Sequence, residues 1–175
     1  MNVLIAYGSH LGSTATIAEG IGETIRRATE ASVTVRPASS GGPIEPYDAV
    51  IVGGGIYAGR WHPDSVSFVR FHANALARRP VWFFSSGPLG ATATTAPPVP
   101  PVGISDLIEL VGARGHVTFA GSHDRSEVGE SELGRLEKFI AKRFVPEGDW
   151  RDWNAIEAWA RSVASELQPS PIAAS

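Results

Sequence analysis

The chain has 175 residues, 43% of them hydrophobic, which is enough for one sizeable core. Its formal net charge of -3, with 19% charged residues, argues against nucleic-acid binding, and no run of Lys or Arg marks a membrane-binding surface. There is no cysteine, so disulfides, thiolate metal sites and thiol catalysis are excluded. No basic segment leads into an apolar one at the start, and no apolar run approaches the length of a membrane span. The expectation is a cytoplasmic protein with no integral membrane segment.

Short apolar runs alternate with segments of helical period. Asn2 to Tyr7 reads as a strand, and Thr14 to Ala28 as a helix with Ile17, Ala18, Ile21, Ile25 and Ala28 on one stripe. Ser32 to Arg36 is a β-branched strand followed by the turn-rich Ser39-Ser40-Gly41-Gly42-Pro43. Asp48 to Gly53 is a third strand, apolar throughout as when both faces are covered. Pro63 opens a helix, a favoured first-turn position, with Val66, Val69, Ala73 and Leu76 toward the core. Pro80 to Ser85 is a fourth strand, followed by a long Pro-, Ala- and Thr-rich loop from Gly87 to Gly103. A short helix from Ile104 to Val111 precedes a fifth strand from His116 to Gly121. Ser131 to Phe144 and the segment from Asp152 to Leu167 read as the last two helices. Residues 1–167 are expected as a single domain, and 168–175 as a frayed tail. Such alternation predicts a doubly wound α/β fold: a five-stranded parallel sheet with helices on both faces.

The segment from Leu4 to Ile21 carries the chemistry. A buried strand runs into a hydroxyl- and glycine-rich turn and then a helix. The helix N-terminus offers unpaired N–H groups and partial positive charge. Ser9, Ser13 and Thr14 add donors, and Gly8 and Gly12 let the backbone close around a phosphate. No Lys or Arg occurs before Arg26, so neutral donors and the helix dipole must hold any phosphate. His10 also lies in this turn and meets a phosphate when protonated. Without a ligand, the same glycines and serines would simply make a strand-to-helix turn.

The segment resembles the phosphate-binding signature of the flavodoxin family, with Tyr7, Ser9, Gly12, Thr14, Ala18 and Ile21 in register and Ala6 where a larger apolar residue is usual. The resemblance implies the strand order 2-1-3-4-5 and a flavin mononucleotide, FMN, at the carboxyl ends of the strands. A deazaflavin, which also carries a phosphate on a ribityl chain, is the alternative cofactor. The phosphate would lie on Ser9, His10, Leu11, Gly12, Ser13 and Thr14. The loop after the third strand, Gly53 to Trp61, would supply ring stacking from Tyr57 or Trp61 and backbone bonds from Ile56, Tyr57, Ala58 and Gly59. Trp61 serves equally as a hydrophobic staple onto the helix at Pro63. After the fourth strand, Ser85, Ser86 and Gly87 would meet the ring's polar edge or make an ordinary turn.

Other signatures are weaker. Gly53 to Ala58 fits G-x-G-x-x-A, but Pro63 puts the next helix start too late for a dinucleotide site. None of the five histidines has metal-ligand spacing. His123, Asp124 and Arg125 follow the fifth strand and read as a solvated loop that can also touch a ring edge. There is no G-x-S-x-G elbow, so hydrolase chemistry has no support, and no side chain is assigned as catalytic.

Three functions remain open at this level. The first is an electron carrier serving a redox partner protein or a small-molecule acceptor. The second is an oxidoreductase similar to the menaquinone-dependent protoporphyrinogen oxidases. That similarity rests on the aromatic loop around Tyr57 and Trp61, the extended chain before the last helix, and the segment Gly148-Asp149-Trp150-Arg151-Asp152-Trp153. The third is a flavin-free interaction module.

Overall fold

The first apolar run becomes the centre of a sheet. β1 (Asn2–Gly8) lies between β2 (Ser32–Pro37) and β3 (Ala49–Tyr57), parallel to both. Val3 and Ile5 join the core on one face, Leu4 and Ala6 the core on the other, and all four are fully buried. The computed structural model describes residues 1–87, 89, 99–124 and 147–168. β3 is extended by a short antiparallel strand, β4 (Arg60–Trp61), and pairs on its other side with β5 (Val81–Ser86), which pairs with β6 (Gly115–Phe119). The parallel strands run β2-β1-β3-β5-β6. Counted without the β4 extension, this is the expected 2-1-3-4-5 order.

Two apolar clusters sandwich the sheet. α1 (Ser13–Ala28) contributes Ile17, Ile21 and Ile25 to one. The final helix supplies Ile156, Val163 and Leu167 to the same cluster. On the opposite face lie α2 (Pro63–Phe71), α3 (Ala73–Leu76) and α4 (Ile104–Val111), with Phe68, Val69, Leu76, Leu107 and Val111 buried there. The helix expected from Pro63 to Leu76 is broken at His72, whose φ of -97 and ψ of 12 leave the helical well. The final helix, α5 (Trp153–Leu167), begins one residue later than expected, because Asp152 is its cap and accepts from the Ala155 N–H at 3.1 Å. A small antiparallel ribbon of β7 (Ser122–His123) and β8 (Gly148–Asp149) lies beyond the main sheet. The helix expected over residues 131–144, most of the loop after residue 87 and the tail beyond Gln168 fall outside the described residues.

The glycines of β3 mean something other than the sequence suggested. Glycines at the carboxyl end of a strand suggest close approach of backbone to a ligand. A Cβ at Gly53 would instead strike the Phe84 ring, and one at Gly54 would lie 2.6 Å from Trp61 Nε1. Both glycines make room for core aromatics. Trp61 is only 4% exposed and packs against Phe83, with ring centroids 5.2 Å apart. In this structure the Trp61 ring lies in the core beneath α2, the packing role expected beside stacking. Replacing Gly54 by Ala should therefore overpack that core and cost about 1–3 kcal/mol in urea denaturation, the usual range for an inserted methyl. An unchanged midpoint would show that Trp61 shifts freely.

Candidate functional site

β1 delivers the chain to the carboxyl edge of the sheet at Gly8. A Cβ there would lie 2.5 Å from Ser65 Oγ and 2.6 Å from His62 Nδ1, so only glycine lets α2 pack so closely. The turn Ser9–Leu11 follows. Gly12 then adopts a left-handed φ of 78 and starts α1 with no side chain capping its first turn. The N-terminal N–H groups are thus left to the loop itself or to a ligand. Arg26, the first basic residue, is engaged at the opposite end of the sheet, where its Nη2 donates to Val33 O at 2.8 Å.

Tyr57 shows where an oxygen fits in this turn. The His10 N–H donates to the Tyr57 hydroxyl oxygen at 3.0 Å, and the Leu11 N–H and Ser9 hydroxyl also bear on it. Burial raises the pKa of Tyr57, opposed by the His10 and Leu11 amides, which favour negative charge on that oxygen. The Ser9 hydroxyl leans on Tyr57 without completing a hydrogen bond, so Ser9 Oγ is buried without a partner. A Cβ at Gly55 would lie 2.9 Å from the Tyr57 hydroxyl and 3.1 Å from Thr14 Oγ1. Gly55, unlike Gly53 and Gly54, therefore serves the site. An orphaned hydroxyl, converging amides and an uncapped helix start suit the terminal oxygens of a phosphate monoester.

Tyr57 is held by the turn into β4. Ala58 and Gly59 have positive φ of 48 and 73, which closes a two-residue hairpin between Tyr57 and Arg60. Ala58 is the one non-glycine residue with positive φ among those described. Val102 N–H donates to Gly59 O at 2.8 Å and pins the hairpin from outside. Ile56 meets the next loop, since a Cβ on Gly87 would lie 3.4 Å from Ile56 Cβ.

The serines divide the work differently from the expectation. Ser13 Oγ lies 3.3 Å from Ser86 Oγ and accepts from the Ser122 N–H at 2.9 Å. Ser13 and Ser86 therefore tie three loops together. Ser85 is fully buried and pairs with His116 Nε2 at 2.8 Å, between β5 and β6. In this structure the Ser85 hydroxyl is thus engaged within the sheet. Burial also lowers the pKa of His116, keeping it a neutral partner.

The loop after β6 joins the site as well. Gly121 to His123 follows β6 and joins the same edge: Gly121 lies against Ser86 and Gly87, and Trp150 N–H donates to Gly121 O at 3.2 Å. His123 is 2% exposed and neither ring nitrogen has a partner, so it is not part of a solvated loop. Its position after the fifth parallel strand was the available signal.

Beside the turn, His10 Nδ1 and His62 Nε2 are 3.1 Å apart, with ring centroids at 4.0 Å. His62 caps α2, its Nδ1 accepting from the Asp64 N–H at 3.2 Å. Burial, with a smaller push from His10, lowers the His62 pKa from 6.5 to about 4, while Asp64 opposes the shift.

The doubly wound parallel sheet, with a glycine-led strand-to-helix turn at its carboxyl edge, defines a flavodoxin-like α/β fold. A family model described as "Flavodoxin domain" matches residues 4–121, and the chain belongs to the flavodoxin family. Among solved structures, oxidised flavodoxin 1 from Bacillus cereus superposes with a TM-score of 0.57 at 15% identity, covering 97% of this chain and 100% of that one. A short-chain flavodoxin associated with a non-canonical PDU bacterial microcompartment gives 0.59 at 12% identity, covering 96% and 99%. Rubredoxin oxygen:oxidoreductase from Desulfovibrio gigas gives 0.59 at 14% identity, with 95% of this chain on 36% of that one. At these identities the superpositions speak for the fold alone. Comparison with curated proteins found no match. No helix among the described residues is long and apolar enough to cross a membrane.

His62 makes stability pH-dependent. Between about pH 6.5 and about 4 the unfolded chain binds a proton on this residue that the native state refuses, so native stability falls as pH drops through that window. His62→Gln should lose less stability than wild type over the same interval in urea titrations. Parallel losses would mean that His62 is not held neutral.

Proposed function

We propose that this protein binds FMN by its phosphate in the turn Ser9–Thr14 and works as an electron carrier or flavin-dependent oxidoreductase. The observation that carries the reading is the convergence of the His10 and Leu11 amides and the buried, unpartnered Ser9 hydroxyl on one oxygen position at the uncapped start of α1. Bound there, the flavin would supply the redox chemistry, and the protein would set its orientation and potential.

The chain's own residues have defined tasks in this reading. Ser9 and Thr14 give hydroxyl donors, and the α1 amides give the partial positive charge that replaces a lysine or arginine. The backbone of Ile56 to Gly59 and of Ser86 and Gly87 borders the ring. Tyr57 is the aromatic that would stack on the ring, its hydroxyl giving up the His10 N–H to the phosphate. A deazaflavin shares the phosphate handle and would use the same turn.

The docking of Trp150 on Gly121 favours a second reading, an oxidoreductase similar to the menaquinone-dependent protoporphyrinogen oxidases. It brings the segment Gly148 to Trp153 to the edge of the site. Reduction of a menaquinone analogue by the flavin-loaded protein, absent when the analogue is replaced by a carrier protein, would select it.

Two variants test the phosphate turn. Combined Ser9→Ala and Thr14→Ala should weaken FMN at least about tenfold in flavin-fluorescence titrations, since hydrogen bonds to a charged group contribute about 1.5–3 kcal/mol each. Unchanged affinity would remove the turn as the phosphate site. Tyr57→Phe keeps the ring but removes the oxygen that competes for the His10 N–H, so FMN affinity should rise about two- to tenfold, the value of one neutral hydrogen bond. A loss of affinity would show that the hydroxyl supports the ligand rather than standing in for it.

A further inference from the structure

Hydrogen-bond direction around His62 leaves little freedom. The Asp64 N–H points at Nδ1, so that nitrogen is an acceptor and carries no proton. With its pKa at about 4, the ring is neutral near pH 7, and its one proton resides on Nε2. Nε2 faces His10 Nδ1 at 3.1 Å. His62 must therefore donate and His10 Nδ1 must accept. With Nδ1 accepting, the His10 proton is placed on Nε2, at the far side of a half-buried ring.

The ring is fixed in position as well as tautomer. His10 lies edge-on to Tyr57 with centroids 4.6 Å apart, and its own N–H is the one that meets the Tyr57 hydroxyl. His62 is 4% exposed and wedged against Gly8, where no Cβ fits. The groups facing the pair are Tyr57 from β3 and Asp64 from α2, the latter with Oδ2 3.9 Å from His62 Nδ1.

We propose that His62 is a positioning residue for phosphate recognition: it locks the His10 imidazole so that Nε2–H is presented as a further donor from the rim of the Ser9–Thr14 turn. The ligand class is a phosphate monoester, whose terminal oxygens are strong acceptors. The device compensates for the missing lysine or arginine, because a neutral donor aimed in advance loses little entropy on binding. The proposal rests on the FMN reading given above and adds to it a residue outside the turn.

The test compares FMN with riboflavin, which lacks only the phosphate, in wild type, His62→Asn and His62→Gln. Asn keeps a good cap for α2 but is too short to reach His10. Gln places an N–H donor near the position of Nε2. His62→Asn should weaken FMN about tenfold and leave riboflavin within about twofold, while His62→Gln should hold FMN within about threefold of wild type. An FMN preference over riboflavin retained in His62→Asn, or an equal loss of both ligands, overturns the proposal. A wild type that binds FMN no better than riboflavin overturns the phosphate reading, and the proposal with it. If His62→Asn does not fold, nitrogen-15 correlation spectra of wild-type His10 decide: the Nε2–H tautomer supports the lock, and the Nδ1–H tautomer overturns it.

Discussion

No side chain caps the start of α1, whose first amide turns back to Leu11 O at 2.9 Å. Gly12 turns left-handed where a Ser or Asp would cap a helix. In the same turn the Ser9 hydroxyl is buried without a partner. An unmatched buried donor costs about 1–3 kcal/mol, and a bound anion removes that cost. Much of the surrounding architecture follows from holding this turn open. Gly8 lets α2 approach, Ser65 Oγ donates to Gly53 O at 2.7 Å to brace β3 against α2, and Ser13 links Ser86 to Ser122. Short polar contacts tie the loops after β1, β3, β5 and β6 together at this edge.

Charge is handled without cations in the first loop. Helix dipoles and neutral donors attract a dianion less steeply than lysine or arginine does, but they lose little on desolvation and need no counter-ion. The price is precision: each donor must already be aimed. Tyr57 enforces that aim from β3, its hydroxyl drawing the His10 and Leu11 amides to a common point. The hairpin behind it is strained at Ala58, and strain of this kind persists where surrounding packing over-determines the backbone.

The sheet was legible in the sequence because fully apolar strands alternate with helical stripes, and those signals are local. The turn was legible because Ser9, Gly12 and Thr14 sit in order between one strand and one helix. What the sequence concealed depends on contacts between distant residues. Gly53 and Gly54 look like ligand-approach glycines until Phe84 and Trp61 are seen over them. Stacking and packing both place an aromatic before Pro63, and only the fold shows the Trp61 ring against Phe83. Ser85 and Ser86 are adjacent in sequence but point to opposite faces of β5, so one meets His116 and the other meets Ser13. His123 reads as a loop residue because β7 is only two residues long and leaves no periodic trace.

The central claim is that a turn without lysine or arginine holds the phosphate of a flavin mononucleotide. The most direct measurement is the absorbance spectrum of the purified protein, with the mass of whatever is released on denaturation. The account predicts the visible bands of an oxidised flavin and the mass of FMN, either as isolated or after titration with FMN. A protein that remains colourless and leaves the fluorescence of added FMN unquenched would contradict it.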